Sequence, residues 1–361
     1  MAKSADVWTI KAALDWTVGY LQRKGDANPR LSAEWLLAEA TAMRRIDLYV
    51  NFDRPLSMDE RDVLRDYVAR RGAGEPLQYI TGEVAFRHIA VKVRPGVLIP
   101  RPETEVLVSE ALALLPTQKR RCAVDSLSVA EQEALAFAWG ARREEDGSVS
   151  LPEDEGGLRP GASLPEQVDA SSQHGEACEA SECERAAAPL VADLCTGSGC
   201  IACSIAYEYP SARVYATDIS STAVSLAREN VHALGLGERV EVVECDLALG
   251  LLPDHAGMFD LVVSNPPYIP DEVMEQLPGE VSDFEPRLAL AGGADGLDVY
   301  RRLLEQVRTL LRRGGSFAFE LHEDCLEEAA ELARAAGYED VRVVADLAGK
   351  PRVLTARLLD A

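Results

Sequence analysis

From Leu190 to the C-terminus the chain alternates short apolar runs with segments of helical period, and this alternation constrains the fold more than any other feature. The runs Leu190 to Cys195, Val214 to Ile219, Val240 to Cys245, Phe259 to Val263, Ser316 to Leu321, Val341 to Ala345 and Val353 to Leu358 read as strands. Most are apolar nearly throughout, as strands covered on both faces are. Helical patterns fall between them at Ile201 to Tyr207, Ser221 to Leu234, Leu297 to Arg313 and Asp324 to Ala336. This order predicts an open, doubly wound α/β sheet, with its ligand site beyond the strand carboxyl ends where the strand order reverses. Asp193, Gly197, Gly199, Asp218, Asp246 and Asn265 all fall at such ends.

The first half has a different character. At 361 residues, 47% of them hydrophobic, the chain is long enough for two domains with real cores. Residues 1–75 read as a helical bundle. Ile10, Leu14, Val18 and Leu21 recur at helical spacing, Asn28-Pro29 starts a second helix before Trp35 and Leu36, and Ser57 with Glu60 forms a capping box, the bundle ending at Gly72 and Gly74. Residues 76–100 turn to a β pattern, Tyr79 and Ile80 included, which predicts a hairpin linker. Residues 101–361 then carry the α/β domain, starting with a helix from Val106 to Leu115 with Pro102 near its first turn.

Residues 117–188 interrupt that domain. They hold fifteen acids against seven bases, and only Leu135 to Trp139 reads as a short helix, so the expectation is a largely disordered insert dispensable for chemistry. Cys178 and Cys183 lie there beside His174, with spacing and surroundings poorly suited to zinc. Cys195, Cys200 and Cys203 have the spacing of a plant-type iron–sulfur site, but they run from a strand end through a glycine turn into a helix, and read better as small apolar residues. No metal is expected. Nor is a membrane segment: no apolar run approaches the ~20 residues of a spanning helix, and Asp6 and Lys11 stand where a signal peptide would be apolar, so the expected location is cytoplasmic.

Chemistry concentrates at two strand ends. Ser264-Asn265-Pro266-Pro267-Tyr268 follows the fourth strand. Two prolines supply no N–H and hold Asn265 extended, leaving the Asn265 side-chain oxygen and a proline carbonyl to accept both protons of a planar NH2 group, with the Tyr268 ring as a flat surface beside it. Thr196-Gly197-Ser198-Gly199, after the first strand, lets backbone approach a ligand at a helix N-terminus. With Asp218 to bind a ribose diol, that loop suits either a dinucleotide or S-adenosylmethionine. Acceptors for a nitrogen about to be alkylated favour methyl transfer over hydride transfer.

These motifs, with Gln78-Tyr79-Ile80-x-Gly82, Val97-Leu98-Ile99-Pro100-Arg101-Pro102-Glu103-Thr104-Glu105, Asp193 to Gly199, Asn265 to Ile269, and Glu285-Pro286-x4-Leu290-x-Gly292-Gly293-x-Asp295-Gly296, resemble the glutamine N5-methyltransferases of peptide chain release factors, the HemK/PrmC family. The resemblance implies a Rossmann-like, class I S-adenosylmethionine-dependent methyltransferase domain behind a helical N-terminal domain that recognises the substrate. That substrate is the Gly-Gly-Gln glutamine of class I release factors. It also implies a cofactor site at Asp193, Cys195, Thr196, Gly197, Ser198, Gly199, Asp218, Asp246, Leu247 and Asn265, and a substrate site at Asn265, Pro266, Pro267 and Tyr268, with Asn265, Pro266 and Tyr268 catalytic. Cys195 departs from the glycine common at its position, and the insert is unusual for the family.

The net charge of −23 opposes a broad phosphate-binding surface, so an amine methyltransferase acting on nucleic acid is the weaker alternative, beside an NAD-dependent oxidoreductase and a non-enzymatic adaptor. Glu103, Glu105 and His322 read as structural or solvated rather than as bases. A monomer is expected.

Overall fold

The computed structural model describes residues 7–116, 142–143, 149–150 and 188–359. Its N-terminal helices are α1 (Ile10–Lys24), α2 (Pro29–Thr41), α3 (Arg45–Val50) and α4 (Met58–Gly72). Ile10, Leu14 and Leu21 are buried as their spacing predicts, and Leu36 is buried while its neighbour Trp35 is exposed. Both bonds of the capping box form: Glu60 N–H donates to Ser57 Oγ at 3.1 Å, and Ser57 N–H to the Glu60 carboxylate at 2.7 Å. Gly72 does more than end α4. A Cβ there would lie 2.7 Å from the Tyr20 ring, so its absence sets how closely α1 and α4 approach.

The next stretch corrects the sequence reading. Tyr79 and Ile80 belong to a helix, α5 (Leu77–Thr81), opened by Pro76 and closed by Gly82 at φ 77°. Five residues between a proline and a glycine are too few to show a period, and two adjacent buried apolar side chains look the same in a short helix as in a strand. The hairpin is β1 (Glu83–Phe86) with β2 (Ile89–Lys92), in register from Glu83↔Lys92 to Phe86↔Ile89. Val97 to Ile99 form no strand. Helix α6 spans Thr104–Leu114. Beyond it, β3 (Arg142–Arg143) pairs antiparallel with β4 (Val149–Ser150). The rest of the acidic insert, with the helix expected at Leu135 to Trp139 and with Cys178 and Cys183, lies outside the described residues.

The main sheet holds β5 (Leu190–Leu194), β6 (Arg213–Asp218), β7 (Val240–Glu244), β8 (Phe259–Ser264), β9 (Leu311–Glu320), β10 (Tyr338–Ala345) and β11 (Pro351–Leu358). Their order is β10-β11-β9-β8-β5-β6-β7; β5 to β9 pair parallel, and β11 runs antiparallel between β9 and β10. The major helices around it are α7 (Cys200–Glu208), α8 (Ser221–Ala233), α9 (Asp298–Leu310) and α10 (Leu326–Ala335). Alternate strand residues feed two cores. Val191, Val214, Leu261 and Val263 pack with α6, α7 and α8, while Ala192, Phe259, Val262, Phe317 and Phe319 pack with α9 and α10. The chain steps from β5 to β6 to β7, then returns to the other side of β5 as β8. The switch point therefore lies between the carboxyl ends of β5 and β8, where Leu194 pairs with Ser264.

One boundary differs from the reading. The helix expected to reach Arg313 stops at Leu310, and β9 begins at Leu311. Gly315 allows this early start, since a Cβ there would stand 2.9 Å from the Phe259 carbonyl oxygen on β8.

Candidate active site

The two strand ends at the switch point build a cleft of about 220 Å³. On its β5 side the turn Cys195 to Gly199 bends sharply: Cys195, Gly197 and Gly199 all have positive φ, at 62°, 56° and 81°. Gly199 precedes α7, and a Cβ on it would meet Ala227 of α8 at 3.2 Å. Glycine suits two of these conformations, but Cys195 takes the left-handed form with a side chain, a strain of about 1–3 kcal/mol. Burial pushes its thiol well above the usual range, and the Asp218 carboxylate adds to the shift. We expect Cys195→Val, which adds β-branching to that backbone, to lower unfolding free energy by about 1–3 kcal/mol, while Cys195→Gly leaves it equal or higher; thermal denaturation of the three proteins checks this.

Asp193 is not in the cleft wall. It is completely buried beneath the turn, where Oδ2 accepts from the Thr196 hydroxyl at 2.5 Å and from Ala202 N–H at 3.0 Å, while Oδ1 has no partner. Its role in the structure is to fasten the turn to α7. Burial raises its pKa from 3.8 to about 7, against the two hydrogen bonds that lower it. Between about pH 4 and about 7 the folded chain therefore keeps a proton that the unfolded chain has lost, so stability falls as pH rises through this window. Asp193→Asn keeps an acceptor and removes the titration. Its urea midpoint is expected to vary less over that range than the wild-type midpoint does.

Asp218, at the end of β6, uses one oxygen on each wall of its corner. Oδ2 accepts from Gly197 N–H and Oδ1 from Ser220 N–H, both at 2.9 Å. A carboxylate has about four lone-pair sites, so acceptor capacity remains beside these backbone bonds. Burial raises this carboxyl's pKa, and the backbone bonds oppose the rise. Asp246 sits at the rim in an ion pair with Arg302 of α9, a cleft residue that the sequence reading did not single out. Leu247 beside it is buried at φ 51°, its carbonyl accepting from the Thr217 hydroxyl at 2.8 Å.

Across the cleft, Asn265 donates from Nδ2 to the Thr104 hydroxyl at 3.2 Å, which leaves Oδ1 as its unused acceptor. Among the described residues the carbonyls of Pro266 and Pro267 accept no hydrogen bond. The Tyr268 hydroxyl donates to Glu320 at 2.9 Å, and that carboxylate is buried at the end of β9. Cys195, Thr196, Gly197, Ser198, Asp218, Asp246, Leu247, Asn265 and Pro267 line the cleft, with Thr104 beside Asn265, whereas Asp193, Gly199, Pro266 and Tyr268 do not line it.

The remaining motifs back this wall. A Cβ on Gly292 would lie 2.7 Å from the Tyr268 backbone, and one on Gly296 2.5 Å from the Tyr268 carbonyl oxygen. The glycines let that segment press directly on the backbone of the proline turn, joined by Ile269 N–H to the Leu290 carbonyl and Gly292 N–H to the Ile269 carbonyl, both 2.9 Å. Glu285, buried, pairs with Arg101 and accepts from Ile99 N–H, and the Tyr79 hydroxyl holds the Val97 carbonyl at 2.7 Å. Periodicity reveals none of this, because these residues act sterically on segments far away in sequence. Glu105 accepts from Arg87 N–H at 3.1 Å and His322 Nδ1 accepts from Asp324 N–H at 3.4 Å; neither they nor Glu103 line the cleft.

The donor set fits an adenosyl amino acid. The turn has side-chain-free approach at Gly197, the buried Ser198 hydroxyl has no partner, and Asp218 retains acceptor capacity. Among the described residues no group of three or more His, Cys, Asp or Glu could hold a metal ion, and no helix is long and apolar enough to cross a membrane.

The parallel sheet with its antiparallel β11, the glycine turn and the Asn-Pro-Pro-Tyr end together define a class I methyltransferase fold, and the sequence matches the methyltransferase small domain over residues 177–277 and the PrmC N-terminal domain over residues 12–82. A release factor glutamine methyltransferase of Rhodopirellula baltica is 35% identical over 349 residues, covering 96% of each chain. Those of Geobacter sulfurreducens, 35% identical over 358 residues (99% of this chain, 100% of the relative), and Moorella thermoacetica, 35% over 349 residues (96% and 98%), are similar. The chain belongs to the release factor glutamine methyltransferase family.

Proposed function

We propose that this protein methylates the N5 side-chain amide nitrogen of a glutamine, that of the Gly-Gly-Gln motif of class I peptide chain release factors, working as a cytoplasmic monomer with S-adenosylmethionine as methyl donor. The observation that carries the reading is the orientation of Asn265: its own NH2 is spent on Thr104, so its oxygen is free to accept at the switch point beside two unbonded proline carbonyls.

When bound, S-adenosylmethionine supplies an electrophilic sulfonium methyl. The turn Cys195 to Gly199 would hold its amino-acid part, Asp218 the ribose, and Asp246 with Leu247 the adenine edge. An amide nitrogen is a poor nucleophile, because its lone pair is delocalised into the carbonyl. Asn265 Oδ1 and the Pro266 carbonyl would accept both hydrogens of the substrate amide, which aims the nitrogen across the cleft and raises its electron density. Alignment of this kind can contribute about 7–11 kcal/mol. One of the two hydrogens leaves after methyl transfer. The Tyr268 ring would offer the amide a flat face.

The helices of residues 1–75 would engage the release factor. Support comes from Trp16, Trp35, Ile46 and Val50, exposed on them, and from Arg71 of α4, which pairs with Asp26 at 2.6 Å and with Glu280 at 3.0 Å and so ties the bundle to the segment that follows the proline turn. Relatives named glutamine methyltransferases weigh against the nucleic-acid and NAD readings.

The test is incubation of the protein and a purified release factor with isotope-labelled S-adenosylmethionine, followed by peptide mass mapping. One labelled methyl on the Gly-Gly-Gln glutamine is expected. Label elsewhere or none, or calorimetric binding of NAD in place of S-adenosylmethionine, overturns the assignment.

A further inference from the structure

We propose that the ion pair between Arg101 and Glu285 fixes how far apart two segments of the cleft wall stand, and that this spacing makes the enzyme select a glutamine whose neighbour carries no side chain. The inference rests on the glutamine-methylating reading above and names the specificity-determining residues of that site.

One segment, residues 96–101, leads from the hairpin towards α6, and the other, residues 285–291, comes after the proline turn in the chain. Leu98, Pro100 and Arg101 of the first and Pro286, Leu288 and Ala289 of the second line the cleft. Both segments are tied to the turn that carries Asn265. On one side the Arg101 carbonyl accepts from Thr104 N–H at 3.1 Å, and the Thr104 hydroxyl accepts from Asn265 Nδ2 at 3.2 Å. On the other the Leu290 carbonyl accepts from Ile269 N–H at 2.9 Å. A second joint then sets the separation. Glu285 offers Oε1 to the Arg101 guanidinium and Oε2 to Ile99 N–H at 3.4 Å, so both oxygens of a carboxylate on one segment land on the other. Its side chain is only 1% exposed.

The joint is braced on both sides. Pro100 and Pro102 flank Arg101 and Pro286 follows Glu285, which fixes φ at three positions. From behind, the Tyr79 hydroxyl holds the Val97 carbonyl at 2.7 Å, and Phe284 packs on the cluster of Tyr79, Val93 and Ile99.

The substrate has to reach past these segments. A glutamine side chain spans only about 5 Å from Cα to its amide nitrogen, so an amide held at Asn265 brings the main chain around it down against Leu98 and Leu288. Leu288 is 61% exposed while it lines the cleft, which places it at the mouth. The cleft, about 220 Å³, is smaller than the ~300–1,000 Å³ of common small-molecule sites, and it must also hold the cofactor. A Cβ on the residue before the glutamine would need the two segments to separate, and the Arg101–Glu285 pair opposes that. Glycine needs no such room.

The experiment uses the full chain with two purified release factors, one with Gly-Gly-Gln and one with Gly-Ala-Gln, and compares their kcat/KM values at saturating cofactor. Wild-type protein is expected to prefer the glycine form roughly 10- to 200-fold, the scale of one extra carbon in a closely fitted site. Glu285→Ala removes both bonds to the first segment, and Leu288→Ala widens the mouth without touching the pair. In each the preference should shrink at least fivefold, while Arg101→Lys, which keeps a cation for Glu285, should retain more of it than Glu285→Ala does. A merely structural role would lower both kcat/KM values alike and leave their ratio where it was. The proposal is overturned by a wild-type ratio near one, or by a wild-type ratio preserved in both Glu285→Ala and Leu288→Ala. Should Glu285→Ala fail to fold, Leu288→Ala decides, because an exposed leucine gives up little packing. A wild-type protein inactive on both release factors would sink the glutamine reading instead. Calorimetric affinities for the two release factors, measured with S-adenosylhomocysteine present, would then still read the glycine preference and its loss in the variants.

Discussion

Asn265→Ala is expected to reduce methyl transfer to release factor by ~10²–10³ while S-adenosylmethionine binds as before, the loss typical when one preorganised polar contact to a reacting centre is removed. The substitution takes away Oδ1, the acceptor left unused by the bond from Nδ2 to Thr104, and leaves the glycine turn and Asp218 in place. Turnover at saturating cofactor, with affinity measured separately by calorimetry, reads the two effects apart. Near-normal turnover would reduce the proline turn to a structural element and move the chemistry elsewhere. Tyr268→Phe is a different kind of change. It keeps the ring but deprives the buried Glu320 of its 2.9 Å donor, so a stability loss of about 1–3 kcal/mol should accompany any loss of activity.

The centre of the sheet was legible because β5, β8 and the second half of β9 are buried on both faces, and residues such as Val191 and Ala192, which serve opposite cores, make an apolar run that such a strand supports. The proline turn was legible as the end of a buried strand because its residues are consecutive, and the structure places it directly after β8. Leu77–Thr81 was misread because two flanking breakers hide the period of one helical turn. Arg302 went unread, and Thr104 and the glycines from Gly292 to Gly296 entered only as parts of motifs with no role of their own, for another reason. Each acts on a partner distant in sequence, Asp246, Asn265 and the Tyr268 backbone respectively, and only the closed sheet brings those pairs together. Asp193 shows the converse. Its place at a strand end was read correctly, but a strand-end side chain can turn inward, and this one fastens the turn from below.

Asp218→Ala is expected to weaken S-adenosylmethionine binding by roughly 10²-fold or more, because the carboxylate has two tasks that one substitution removes. It holds the turn through Gly197 N–H and the start of α8 through Ser220 N–H, each at 2.9 Å, and its remaining lone pairs would take the ribose hydroxyls. Hydrogen bonds to a charged group contribute about 1.5–3 kcal/mol each, and losing the equivalent of two accounts for that affinity change. Asp218→Asn should fall short of rescue, since one of the two backbone N–H groups would then face an NH2. The pH dependence has a definite sign. Burial holds the folded carboxyl's pKa above its ordinary value, so the ionised form that binds hydroxyls and N–H groups is complete on the alkaline side and is lost as pH falls through that raised pKa. Cofactor affinity in the wild type should therefore decline on acidification, whereas the residual affinity of Asp218→Ala should show less of this decline. Calorimetric titrations at alkaline, neutral and mildly acidic pH measure both, and an Asp218→Ala protein with wild-type affinity at every pH would remove Asp218 from the cofactor site.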